Sequence, residues 1–224
     1  SDTISKPVTV HPIPSATISG TVSICQGAAE PQITFTGSNG TPPYTFTYNI
    51  NGGANQQAVA STANSVTVNV PTNITGVFTY TLTSVSYAST PACSQSSSQT
   101  AVVSIFSKPT GATITGSTSV CVNGAAPTIT MTGAGGSGNY IFTYNVNGGI
   151  NQNISSTSGS ASITVPTNTA GTFTYNLVSV EDPSNVLCRT NVTGTATIIV
   201  NPLPTAVISG TTTVCQGTAS PQVT

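Results

Sequence analysis

Charge is the scarcest property of this chain. Its 224 residues carry three Lys or Arg and four Asp or Glu, so 3% are charged and the formal net charge is −1. No basic patch can form to neutralise phosphates, which argues against nucleic acid as a partner. The same shortage removes any electrostatic draw toward anionic membranes. No apolar run approaches the roughly 20 residues that a membrane-spanning helix needs. The chain does not begin with Met and shows no leader, so it reads as an internal piece of a longer polypeptide.

The groups that carry chemistry are also few and do not recur. Tryptophan is absent and His11 is the sole histidine. His11 falls in a proline joint whose next counterpart holds Asn201, so no catalytic role attaches to it. The acids are Asp2, Glu30, Glu181 and Asp182. Glu30 corresponds to Ala126 and Ser220, and Glu181-Asp182 to Ser86-Tyr87, so no acidic pair repeats. That argues against paired-carboxylate catalysis and against a repeated calcium shell. Serines are plentiful but lack a base to activate one. Single cysteines without Cys-x-x-Cys, beside one His, cannot build a zinc shell. Gly133-Ala134-Gly135-Gly136 leads into a strand, whereas a phosphate loop needs a helix N-terminus. An isopeptide link from Lys108 to an Asn would need an acid beside it, and none is near in sequence. The expectation is a non-enzyme with no cofactor and no metal.

Ser and Thr fill the space, at roughly a third of the chain, far above ordinary usage. Such a composition suits disorder, but the pattern does not. Tyr44, Phe46, Tyr48 and Ile50 alternate with Thr45, Thr47 and Asn49, the period-two mark of a strand with one buried face. Asn51-Gly52-Gly53 then supplies a turn. The whole stretch returns as Tyr140-Ile141-Phe142-Thr143-Tyr144-Asn145-Val146-Asn147-Gly148-Gly149. A second recurrence, Thr17–Cys25 with Thr113–Cys121 and Val207–Cys215, gives a period of about 95 residues, the size of an immunoglobulin-like sandwich.

Strands are expected over 16–25 (broken at Gly20), 32–36, 44–50, 56–60, 65–70, 77–87 and 99–106, with a matching set in the second repeat. Apolar spacing of helical period is absent. The fold class is therefore all-β, tandem immunoglobulin-like sandwiches in a linear array. Residues 1–14 read as the last strand of a preceding repeat, 15–109 and 110–204 as two full repeats, and 205–224 as the start of a further one. Prolines at 12, 14, 109, 202 and 204 mark short stiff joints.

Each repeat has a Cys closing its first strand (Cys25, Cys121, Cys215), and each full repeat another between its last two strands (Cys93, Cys188). That recurrence argues for disulfides in an oxidising compartment. Two pairings stand. Within repeats the bonds are Cys25–Cys93 and Cys121–Cys188. Across the joint the bond is Cys25–Cys188, with Cys93 paired backward and Cys121 forward. The two loops of one sandwich lie at opposite poles, about 20 Å apart, which favours the cross-joint pair over the within-repeat one. Loop-closure entropy differs by less than about 1 kcal/mol and does not choose. Asn73, Asn153 and Asn191 match the N-glycosylation pattern, a match that a Thr-rich chain also produces by chance.

Several of these stretches carry a family likeness. Pro31-Gln32-Ile33-Thr34-Phe35-Thr36-Gly37, the Tyr44–Gly53 strand with Pro43 before it, Gly171–Val180 and Val200-Asn201-Pro202-Leu203-Pro204 resemble PKD-like repeats of very long surface proteins of Bacteroidota. The Cys-x-Gly element departs between repeats, as Cys25-Gln26-Gly27 and Cys121-Val122-Asn123-Gly124. The resemblance implies the shaft of a cell-surface adhesin of the gliding-motility kind, exported by type IX secretion. Asp2-Thr3-Ile4 also resembles that phylum's O-glycosylation motif, with Thr3 as acceptor. The implied partners are neighbouring repeats of the same chain, with other copies in a fibre as a further reading and the surface ligand unspecified. The alternatives are a glycan-binding module, which would show a row of exposed Tyr, and a strand-exchanging subunit of a polymeric fibre.

Overall fold

Thr and Val at alternate positions, bounded by Gly, Pro and Asn turns, produce strands throughout and no helix among the described residues. The computed structural model describes residues 6–183, 186–210 and 213–219. The first sandwich uses nine strands: β1 (Ser15–Ser19), β2 (Val22–Cys25), β3 (Gln32–Ser38), β4 (Tyr44–Ile50), β5 (Gln56–Ala60), β6 (Ser65–Asn69), β7 (Gly76–Tyr87), β8 (Cys93–Ser96) and β9 (Thr100–Phe106). The second uses eight: β10 (Pro109–Thr115), β11 (Thr118–Cys121), β12 (Thr128–Gly135), β13 (Tyr140–Val146), β14 (Gln152–Ser156), β15 (Ser160–Thr164), β16 (Gly171–Asp182) and β17 (Cys188–Asn201).

In each sandwich a three-stranded sheet faces a larger one. The orders are β1-β3-β6 against β2-β9-β7-β4-β5, with β8 on β7, and β10-β12-β15 against β11-β17-β16-β13-β14. The expected first strand is in fact two. It crosses from one sheet to the other at Gly20, where φ is +118° and a Cβ would lie 2.3 Å from the Gln32 carbonyl oxygen. Beyond the crossing β2 runs parallel to β9, Val22 opposite Val103. Gly116 repeats the device, with φ +114° and the same 2.3 Å approach to Thr128. Only a residue without a side chain passes at that distance.

The period-two strands bury their aromatic faces. Tyr44, Phe46, Phe35, Ile33, Leu82 and Val103 are fully buried in the first core; Phe142, Ile129, Met131, Val180 and Ile198 are in the second. Phe35 lies between Phe46 and Tyr48, at ring-centre distances of 5.7 and 4.9 Å. Each such ring removes roughly 150–250 Å² from water, so these few side chains dominate the burial. The Asn-Gly turns close by hydrogen bonds of 3.0 Å, Gly53 N to Ile50 O and Gly149 N to Val146 O. Asn51 and Asn147 sit at positive φ, and their amides also bond the backbone of β7 and β16. The turn that ends the central strand is thereby tied to its neighbour strand.

Residues 6–14, read from the sequence as a closing strand, form none, and the described part of 205–219 forms none either. A strand needs a ladder partner, and among the described residues neither segment has one. The hairpin strand β8 was not expected from the sequence.

Candidate functional site

The residues that differ from ordinary sandwich material gather where the two sandwiches meet. At the lower pole of the first, β2 ends at Cys25, opposite Phe106 of β9. The loop beyond is fixed by Gln26 N to Phe106 O at 2.8 Å and Gly27 N to Thr72 O at 3.0 Å. Only Ser107 and Lys108 separate β9 from β10. At the upper pole of the second, β17 begins at Cys188, opposite Asp182 of β16. Cys188 is buried.

The structure joins Cys25 to Cys188, with Cα atoms 5.6 Å apart, inside the span a disulfide tolerates. The within-repeat pairs Cys25–Cys93 and Cys121–Cys188 do not form; Cys93, Cys121 and Cys215 are free. The reason is the polarity of the sandwich. Cys25 ends a strand at one pole, while Cys93 opens the hairpin at the other. Within the second sandwich the Thr190 hydroxyl of β17 donates to the Pro109 carbonyl at 2.5 Å, fixing the start of β10 directly below the connection. At the upper pole of the first sandwich the Tyr87 hydroxyl donates to the Pro12 carbonyl at 2.9 Å, fixing the segment that precedes β1.

Charge collects at this joint. Of the seven charged residues, Glu30 follows Cys25, Lys108 is in the connection, and Glu181, Asp182 and Arg189 flank Cys188. Arg189 Nε lies 3.1 Å from Glu181, a cross-strand pair with the arginine half exposed, and the guanidinium also donates to the buried Ser179 hydroxyl at 2.8 Å. A pair this exposed contributes at most about 1 kcal/mol. Asp182 is buried and accepts from the backbone N–H and the hydroxyl of Ser137, holding the β12–β13 turn. Burial, and secondarily the Asp182 charge, pushes the Tyr140 hydroxyl above the ordinary tyrosine range.

The other residues singled out by sequence do not join this group. His11 lines an open cleft of about 290 Å³ with Pro12, Asn39, Gly40, Thr41 and Tyr87, and no acid is among that lining. Asn73, Asn153 and Asn191 are exposed and lie apart, the latter two on β14 and β17. Thr3 lies outside the described residues. All seven tyrosines are buried, so the row of exposed rings that a glycan-stacking face requires is not formed by them. Among the described residues no three His, Cys, Asp or Glu side chains come together as a metal site, and no helix is long and apolar enough to cross a membrane. Sequence reasoning missed the Asp182–Ser137 and Glu181–Arg189 contacts. Their signal was the clustering of rare charges around one cysteine.

No family model matches the sequence, and no curated protein matches it significantly. Solved structures do resemble the fold. The titin I-band fragment I67–I69 superposes with a TM-score of 0.50 at 13% identity, covering 87% of this chain and 67% of that one. A Ca2+-stabilized adhesin that helps an Antarctic bacterium bind ice gives 0.43 at 14% identity, over 87% of this chain. This chain spans half the length of that adhesin chain. A 1.5-MDa bacterial ice-binding adhesin gives 0.40 at 15% identity, over 86% of this chain and 67% of that one. At such identities the likeness speaks for the fold: tandem immunoglobulin-like β-sandwiches.

Proposed function

We propose that the chain is a shaft segment of an extracellular filamentous adhesin, a stiff spacer that holds a distal adhesive tip away from the cell. The observation that carries this reading is the Cys25–Cys188 bond, which ties two successive sandwiches across a two-residue connection. A bond at that place restrains bending between modules, and restraint of bending is useful in a spacer. Its presence also favours an oxidising, extracellular setting. The sequence resemblance supports the finer assignment: a Bacteroidota surface protein of the gliding-motility type, exported by type IX secretion, with no catalytic role. The stability of such an array is a sum over modules and junctions.

Small-angle scattering tests the reading. The oxidised chain is expected to scatter as one elongated particle with a narrow distribution of inter-module distances. C25S is expected to keep both sandwiches and broaden that distribution. An unchanged distribution in C25S, or a collapsed side-by-side pair in the oxidised chain, would overturn it.

A further inference from the structure

The two free cysteines of the described sandwiches occupy the same places as the two that are bonded. Cys121 ends β11 opposite Asn201, as Cys25 ends β2 opposite Phe106. Val122 N donates to Asn201 O at 2.8 Å, the distance of the Gln26–Phe106 bond. Asn123 N donates to Thr167 O as Gly27 N does to Thr72 O, and Thr167 and Thr72 hydroxyls close the same loop on Gly124 and Ala28. The frame that aims Cys25 is therefore complete around Cys121, which is exposed. Likewise Cys93 pairs with Tyr87 in the ladder where Cys188 pairs with Asp182, and it is partly buried against the first core.

We propose that Cys121 and Cys93 are the two half-sites of further cross-joint disulfides: Cys121 takes a cysteine at the Cys188 position of a following module, and Cys93 one at the Cys25 position of a preceding module. The partner is a sandwich of this same kind, and the inference rests on the spacer reading above. Lone thiols would carry no such assignment. Here the same positions are seen bonded to each other once in the chain. Closure follows thiol–disulfide exchange with a disulfide oxidant, such as glutathione disulfide or an oxidoreductase of that chemistry. One thiolate attacks the oxidant, forming a mixed disulfide and releasing one thiol. The second thiolate then displaces the other half. The two cysteines lose two electrons and two protons, and the oxidant leaves as two thiols.

The test extends the full chain after Thr224 with a second copy of residues 131–204. Pro221-Gln222-Val223-Thr224 matches Pro127-Thr128-Ile129-Thr130, so this completes a third module. The protein is oxidised with glutathione disulfide, alkylated, and mapped without reduction. The expected map joins Cys121 to the appended copy of Cys188 and keeps Cys25–Cys188, with Cys93 and Cys215 alkylated. Alkylated Cys121 beside an intact Cys25–Cys188 bond, or the appended cysteine joined to Cys215, would overturn the proposal. A chain that is stiff by scattering yet leaves Cys121 free would keep the spacer reading and remove this one. Should the third module fail to fold, C215S in the unextended chain serves instead. Oxidised at high concentration, it should give Cys93-to-Cys121 links between copies in at least ten-fold excess over like-to-like links. Equal proportions, or no links, would overturn the proposal.

Discussion

Tyr87 of the first sandwich and Asp182 of the second occupy one place at the end of one strand, and the loops around them differ accordingly. The Tyr87 ring covers Gly40, where a Cβ would come within 2.7 Å of it, and its hydroxyl reaches back to Pro12. Asp182 instead captures Ser137. The consequence runs into the core. Tyr140 donates its hydroxyl to the Gly135 carbonyl, whereas the equivalent Tyr44 hydroxyl is buried with no hydrogen-bond partner among the described residues. Beneath that, Phe35 is exchanged for Met131 at matching positions of β3 and β12, and both are fully buried. The lesson is that the barrel of the sandwich tolerates a ring-for-thioether exchange, while the upper pole is rebuilt to suit what lies above it.

The largest effect should come where the two sandwiches agree. Gly20→Ala and Gly116→Ala each place a Cβ at 2.3 Å from a backbone oxygen and at positive φ, so each should lose more than about 4 kcal/mol in its own module by denaturant titration. Near-wild-type midpoints would show that the crossing is not obligatory. Core truncation should then separate the modules. Phe35→Ala is expected to lose about 4 kcal/mol and Met131→Ala about 3, because Phe35 also packs its ring against Phe46 and Tyr48; the reverse ranking would show that those ring contacts add nothing.

The hydroxyl comparison is finer. Tyr140→Phe should lose about 1 kcal/mol, whereas Tyr44→Phe should be neutral or stabilising, since it removes a buried hydroxyl that bonds to none of the described residues. Equal losses would contradict the difference in their surroundings. Alkali offers the smallest and most general effect. Burial raises Tyr48, Tyr80, Tyr140 and Tyr175 above the ordinary value of 10.0. The folded state therefore prefers the neutral phenol. That stability is fully present below the unfolded pKa and is lost as pH rises from about 10 through the folded values. Thermal melting should be flat toward pH 9 and fall above pH 10; a fall beginning near pH 8 would point to another group.

Much of this was legible because alternation is a local signal. The strands 44–50 and 56–60 appear at their expected bounds, and Ile33, Phe35, Tyr80 and Leu82 are buried on the expected faces. Strand β8 escaped because Cys93-Ser94-Gln95-Ser96 has no apolar alternation and is stabilised only by its pairing with β7. The split of the first strand between two sheets is a tertiary choice, hinted at by Gly20 and Gly116 alone. The departure at Asn123 proved conservative: it holds the positive φ of Gly27, which asparagine accepts more readily than most residues. The sequence left the cysteine pairing between two alternatives because strand parity decides which loops share a pole, and parity is not a local property.

The central claim is that the staple lies between sandwiches and not within one. Non-reducing peptide mapping of the full chain tests it directly. The account predicts one linked peptide joining Cys25 to Cys188, with Cys93 and Cys121 alkylated. A Cys25–Cys93 or a Cys121–Cys188 peptide would contradict it.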